Sequence, residues 1–170
     1  MKRIPIIPLL TMITLIADQL AKSLVVSNLE VGESIPPLPF LSGVFVFTHV
    51  TNTGIAFGFF KEAGTFFIFL AVVVITIIVL FLRNLPKDQW LVRVALGLQL
   101  GGAFGNLADR LRLGYVIDFI DFKFWPVFNI ADSAIVVGVV LLAVSMWREG
   151  RIAPRPSQPE SSSGGEQLPG

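Results

Sequence analysis

Four stretches of the chain carry almost nothing but apolar side chains, and the segments between them have a different character. A helix rises about 1.5 Å per residue, so about 20 apolar residues cover a hydrocarbon core of about 30 Å. The first stretch runs from Ile4 to about Val26 and is interrupted by Asp18 and Lys22. The second, Ala63 to Leu82, holds no charge. The third occupies about Leu91 to Ala108, with Arg93 near its start and Asp109-Arg110 just past its end; the fourth, about Asn129 to Trp147, has Asp132 in its first turn. Between the first two, Val44, Val46, Thr48 and Val50 alternate with Phe45, Phe47, His49 and Thr51. That period of two, bounded by Gly43 and Gly54, predicts a short strand or hairpin.

Composition agrees with this reading. Of 170 residues, 54% are hydrophobic and 15% charged, and the mean hydropathy is +0.76. A soluble domain carries about 25% charged residues, so this chain cannot coat a water-facing surface. The expected fold is an all-α membrane protein with four transmembrane helices and a small sheet at one membrane surface. Lys2 and Arg3, then Arg83, Lys87 and Arg93, then Arg148, Arg151 and Arg155 fall on one side of four spans, which makes both termini cytoplasmic. The loops at about 27–62 and 109–128 then face outward. Met1-Lys2-Arg3 before an apolar run resembles a secretory signal, but Asp18-Gln19 stands where a small-residue cleavage site belongs, so the segment is expected to be retained. Residues 1–150 read as one domain and 151–170, rich in Pro, Ser and Gly, as a disordered cytoplasmic tail. No internal repeat is evident, and nothing sets an oligomeric state.

The net charge of +1 supplies no basic field for a nucleic-acid partner. Cysteine is absent and His49 is the single histidine, so thiolate nucleophiles and three-histidine or HExxH zinc sites are excluded. No metal or other cofactor is called for. Acid–base chemistry must lean on carboxylates or lysine. His49, in a strand-like stretch, reads as a surface or interfacial residue.

Ionisable groups inside a span cost roughly 2.5–3.5 kcal/mol each on insertion scales, so each needs a partner or a task. Asp18 and Lys22, four apart, can pair across one turn, with Lys22 snorkelling toward the interface. Asp109-Arg110 reads as an orienting ion pair at the end of the third span. Gly97, Gly101 and Gly105, with Gly102 and Ala103 between them, form a small-residue face suited to close helix packing; no Lys-Ser or Lys-Thr follows to make a phosphate loop.

Asp118 and Asp132 stand apart. Asp118 lies in Tyr115-Val116-Ile117-Asp118-Phe119-Ile120, too short to span and too apolar for an ordinary loop, which places it near the membrane surface. Asn129 is positioned to cap the fourth helix, and Asp132 is then its third residue, where the helix dipole favours a carboxylate. A loop returning through Trp125-Pro126 could bring the two together. Two close carboxylates share one proton, which supplies acid and base in one site. Asp121 competes with Asp118 for this role. A small proton-coupled transporter using Asp18, Asp118 and Asp132 as a relay, or a non-catalytic scaffold packed through the glycine face, needs the same residue types.

Five blocks in order resemble the bacterial lipoprotein signal peptidase family, also called signal peptidase II: Asp18-Gln19 with Lys22; Asn52-Thr53-Gly54-Ile55-Ala56-Phe57; Gly105-Asn106-Leu107-Ala108-Asp109-Arg110; Val116-Ile117-Asp118-Phe119; and Phe128-Asn129-Ile130-Ala131-Asp132-Ser133. The resemblance covers about residues 10–147. It implies an aspartic endopeptidase of the bacterial cytoplasmic membrane. The implied substrates are prolipoproteins, cut before a cysteine that already carries diacylglyceryl, with membrane lipids as surroundings and the active site near the outer face. By match of motif, Asp118 and Asp132 are the expected catalytic pair. Asn52, Gly54, Asn106, Arg110 and Asn129 are expected around the site, with Asp18, Lys22 and Asp109 in support. The family's outer loop forms a small sheet that cradles substrate, in keeping with the strand pattern.

Overall fold

The computed structural model describes residues 6–54, 63–86 and 88–152. The start of the first apolar stretch at Ile4, the Ile55-Ala56-Phe57 part of the second block, Lys2, Arg3, Lys87, Arg155 and residues 153–170 of the tail lie outside these. Four helices form, α1 (Ile6–Asn28), α2 (Ala63–Leu82), α3 (Trp90–Leu113) and α4 (Ile130–Ile152), together with strands β1 (Ser34–Ile35), β2 (Phe45–Asn52) and β3 (Val116–Phe122). A single turn of 3-10 helix, Pro39–Leu41, lies between β1 and β2. All four helices are long and apolar enough to cross a membrane.

The bundle is built around α3, which packs against α1, α2 and α4. The glycine face makes this possible. A Cβ at Gly97 would press on Leu10 and the Ile7 carbonyl, one at Gly101 on Thr14 and the Thr11 carbonyl, and one at Gly105 would lie 2.6 Å from Asp18 Oδ2. Gly102 meets the Ala131 carbonyl of α4, whose own Gly138 sits against the Ala95 carbonyl and Gln99. Close approach of backbones substitutes for the hydrophobic drive that helices lack in lipid. Thr11 Oγ1 adds a hydrogen bond to the Gly97 carbonyl, 3.2 Å.

The outer surfaces of the other helices are apolar. Leu9, Met12, Ile13, Ile16, Leu20 and Leu24 form an exposed stripe along α1, and Phe66, Phe69, Ile77 and Phe81 do the same on α2. Exposed patches of this extent belong against lipid rather than water.

The two longer strands differ from a hairpin in being far apart in sequence. β1, β2 and β3 form one antiparallel sheet in that order. Phe45, Val46 and Phe47 pair with Phe122, Asp121 and Ile120, whereas Val50, Thr51 and Asn52 pair with Asp118, Ile117 and Val116. The register shifts by one between Phe47 and Val50, so Thr48 and His49 together oppose Phe119, a β-bulge. Val25 of α1 and Leu29 just past its end pack under the sheet with Ile117 and Phe119, and an apolar hollow of about 310 Å³ opens there between Leu24, Ile35, Phe47 and Phe119.

Several expectations are corrected. Helix α3 continues to Leu113 and ends on Gly114 in the left-handed region (φ 84°). Asp109 and Arg110 therefore lie inside its final turns, and the second connection starts at Gly114 rather than at 109. Lys22 does not snorkel: it is 2% exposed, because its ammonium is used up by partners inside the bundle. His49 is buried rather than superficial, drawn in by the end of α1.

Candidate active site

The polar residues singled out in the sequence converge where the C-terminal ends of α1 and α3, the start of α4 and strands β2 and β3 meet. Its base is a buried cluster on Lys22. The ammonium donates to Asp18 Oδ2 (2.8 Å), Asp109 Oδ2 (2.7 Å) and Asn106 Oδ1 (3.0 Å). An ammonium has three protons, and all three are used. Asp109 thus pairs with Lys22 and not, as expected, with its neighbour Arg110. Gln19 Nε2 donates to Asp109 Oδ1 at 2.9 Å, and the Ile117 N–H donates to Asp109 Oδ2 at 3.2 Å, which ties β3 to α3.

Helix α4 begins on this cluster. Its first N–H groups have no partner within the helix. The Ala131 N–H donates to Asp18 Oδ1 (2.9 Å) and the Asp132 N–H to Asn129 Oδ1 (2.9 Å), while the Asn129 N–H donates back to Asp132 Oδ2 (3.2 Å). This is a reciprocal capping box, made by Asn and Asp. Cap and candidate catalytic group are one residue, so the two roles weighed for Asp132 do not exclude each other.

The box also aims the neighbouring amides. With Asn129 Oδ1 committed to the cap, its Nδ2 faces Asp118 Oδ1 at 2.7 Å. Asn106 Oδ1 accepts from Lys22 and from Asn129 Nδ2 (3.1 Å), so Asn106 Nδ2 faces Asp132 Oδ1 at 2.7 Å. Both carboxylates are therefore held through Asn129, from its side chain to Asp118 and from its backbone to Asp132. Asn52 Nδ2 completes the set by donating to Asp118 Oδ2 at 2.8 Å.

Burial pushes the Asp118 carboxyl up to about 6; the neighbouring Asp132 charge adds to this, against the hydrogen bonds from Asn52 and Asn129. Asp121 differs. Lys123 Nζ (2.8 Å) and Thr48 Oγ1 (2.7 Å) both donate to its Oδ2, and the Lys123 hydrogen bond, over the cost of burial and with Thr48 assisting, holds it below the usual carboxylate range. Asp121 projects from the strand face opposite Asp118. It is thus a fixed anion away from the pair. Asp18, ion-paired to Lys22 and bound to the Ala131 N–H, is likewise committed and unsuited to a proton relay.

Arg110 lies with its guanidinium carbon 5.1 Å from the centre of the Phe67 ring and donates to the Asn106 carbonyl at 3.5 Å. Its charge faces Asp132, Asp118 and Asp109. Gly54 has φ 78°, and its N–H donates to Asn52 Oδ1 at 2.8 Å. This turn directs the Asn52 amide nitrogen at Asp118. A Cβ at Gly54 would be strained by the left-handed backbone and would run into the Phe67 ring. Gly54→Ala is expected to lower turnover about tenfold, since a strain of about 1–2 kcal/mol falls on the Asn52 turn and the added Cβ displaces the Phe67 ring that packs on Arg110; equal turnover for variant and parent contradicts this.

Sequence reasoning missed Gln19, His49 and Thr48 as contributors. The signal for Gln19 was its place beside Asp18; Thr48 and His49 carried none, because the bulge arises only when β2 pairs with β3.

Residues 10–148 match the family model described as signal peptidase (SPase) II. The lipoprotein signal peptidase of Moorella thermoacetica is 47% identical over 134 residues, covering 79% of this chain and 87% of that protein. That of Halothermothrix orenii is 40% identical over 144 residues, covering 85% and 97%. A solved bacterial membrane enzyme superposes with a TM-score of 0.77 at 28% identity, over 88% of this chain and 92% of that one. With four spans and one family model over nearly all of them, the chain belongs to the signal peptidase II family of membrane peptidases.

Proposed function

We propose that this peptidase removes signal peptides from prolipoproteins, cutting before a diacylglyceryl-modified cysteine, and that Asp118 and Asp132 activate water for the cut. The observation that carries the reading is the shared grip of Asn129 on both carboxylates at the mouth of the bundle. Asp132 stands at a helix N-terminus, where it accepts from the Asn106 amide and the Asn129 N–H. Asp118, raised to about 6, keeps the shared proton.

The reaction then balances without any other group. Asp132 takes a proton from water as the oxygen attacks the scissile carbonyl carbon, while Asp118 gives its proton to the carbonyl oxygen. On collapse, Asp132 passes its proton to the leaving nitrogen, the C–N bond breaks, and Asp118 recovers a proton from the diol. The dyad ends as it began. Arg110, facing the pair, steadies the oxygen that gains charge in this step.

The site belongs at the outer face of the bacterial cytoplasmic membrane, with both termini inside. Arg83, Arg93 and Arg148 lie at the end of the bundle away from the sheet, in keeping with the bias of cytoplasmic loops toward Lys and Arg. A lipid-bearing cysteine sits where lipid meets water, as does this sheet.

The pH dependence has a definite sign. A singly protonated pair is active, and the higher of its two apparent values sets the alkaline limb. Asp118 lies well above 3.8, at about 6, so kcat/KM is expected to fall as pH rises through about 6, and kcat to fall later, once substrate deepens burial. A flat profile from pH 5 to 8 contradicts the dyad.

The function is tested by incubating purified protein with modified and unmodified forms of one prolipoprotein and locating any cut by mass spectrometry. Cleavage of the modified form alone, immediately before its cysteine, is expected. Equal cleavage of both forms, or a cut elsewhere, overturns the substrate assignment.

A further inference from the structure

The sheet register decides whether Asn52 can reach Asp118. Val50 pairs with Asp118, and Asn52, two residues on, shares its face. Without the bulge, the pairing of Phe47 with Ile120 would continue to place His49 opposite Asp118, and Asn52 would turn to the other face. One extra residue in β2, within the Thr48-His49 pair, therefore builds the site.

His49 is held by more than its strand. Its N–H donates to the Glu33 carbonyl (3.0 Å) and its carbonyl accepts from the Gly32 N–H (2.8 Å). Nδ1 lies 2.9 Å from the Leu29 carbonyl just past the end of α1. A carbonyl only accepts, so Nδ1 carries the proton. Nε2 is buried and has no partner among the described residues, which leaves the Leu29 bond as the ring's one polar tie. Upstream, Thr48 Oγ1 donates its single proton to Asp121 Oδ2 (2.7 Å) and accepts from Ser34 Oγ (2.8 Å). The bulge is thus held from two sides, by Thr48 on Asp121 and by His49 on the Leu29 carbonyl just past the end of α1.

Resting on the peptidase reading above, we propose that His49 is a positioning residue: by anchoring the bulge to the Leu29 carbonyl it holds the Asn52 amide on Asp118. It touches neither the dyad nor the substrate. Its effect passes through one hydrogen bond that stabilises the charged form of Asp118. Loss of that bond shifts the alkaline limb upward. The charged groups that face Asp118 are Asp132 of α4, Arg110 of α3 and Lys22 of α1, with the neutral amide of Asn52 from β2.

The test compares His49→Phe, His49→Gln, His49→Asn and Thr48→Val with Asn52→Ala, reading kcat, KM, the pH profile and the melting temperature. An Asn amide nitrogen can take the place of Nδ1, whereas a Gln reaches toward the position of Nε2. H49N is therefore expected to keep near-parental turnover. H49F and H49Q should lose about tenfold in kcat, with KM within about twofold and the alkaline limb moved to higher pH, as in N52A. H49F should add little to N52A, since both remove one interaction. T48V, which breaks the hold on Asp121, should move the limb the same way, and it carries the test if H49F does not accumulate. A damaged N52A beside parental kcat and limb in H49F or T48V overturns the positioning role alone, as does an H49N no better than H49F. Parental behaviour of N52A itself overturns the dyad reading and the positioning role with it.

Discussion

Asp118→Asn and Asp132→Asn should each reduce cleavage of a lipid-modified precursor by about three orders of magnitude or more. Acid and base catalysis contribute about 10²–10⁴-fold each, and in the proposed mechanism the two carboxylates act as a unit, so the double variant should be hardly worse than either single one. The fold should survive at a cost. Both oxygens of Asp118 accept from amide N–H groups, Asn52 on one and Asn129 on the other. An Asn there turns its own NH₂ toward a donor, which costs about 1–3 kcal/mol. Asp132 is bonded similarly, by Asn106 and the Asn129 N–H. The expected result is folded, membrane-inserted protein with a slightly lower melting temperature and no product. Processing at the parental rate by purified D118N or D132N removes the pair from the mechanism.

Lys22→Met should have the largest effect on stability. Lys22 is 2% exposed, and its ammonium neutralises Asp18 and Asp109 while orienting Asn106. Methionine fills the volume and leaves two buried carboxylates without a counter-charge, a loss of about 3–5 kcal/mol. The damage should spread to the start of α4, because Asp18 caps the Ala131 N–H, and to Asp132, because Asn106 loses one of the bonds that orient it. Lys22→Arg should not rescue, since a planar guanidinium does not fit a slot built for three converging acceptors. Asp109→Asn added to K22M should restore part of the loss by removing one orphaned charge. Melting of the detergent-solubilised proteins checks this; a parental melting temperature in K22M contradicts the buried-cluster account.

Much of this architecture was legible in the chain. Span lengths follow from apolar runs because in a bilayer the solvent itself selects them, and the second run, free of charge from Ala63 to Leu82, coincides with α2. The glycine spacing on α3 announced close packing, and each of Gly97, Gly101 and Gly105 indeed faces α1. Asn129 as cap and Asp132 as third helical residue were readable from local chemistry alone. Pairings between distant segments were not. Periodicity could place Asp109 at the end of a helix, but only packing of α1 on α3 shows that its partner is Lys22 rather than Arg110. Asp118 and Asp121 look alike in sequence and differ through strand alternation and a lysine two residues on. The bulge at Thr48 and His49 is a property of two strands together, so neither strand alone reveals it.

The central claim, one proton held between Asp118 and Asp132, is tested most directly by infrared difference spectroscopy of the carboxyl C=O stretch across a pH titration of the purified protein and its D118N variant. A protonated-carboxyl band that fades in the parent as pH rises through about 6, and is missing from D118N over the same range, is the expected result. Persistence of that band in D118N, or complete loss of the parent band near the ordinary carboxylate value of about 3.9, would contradict it.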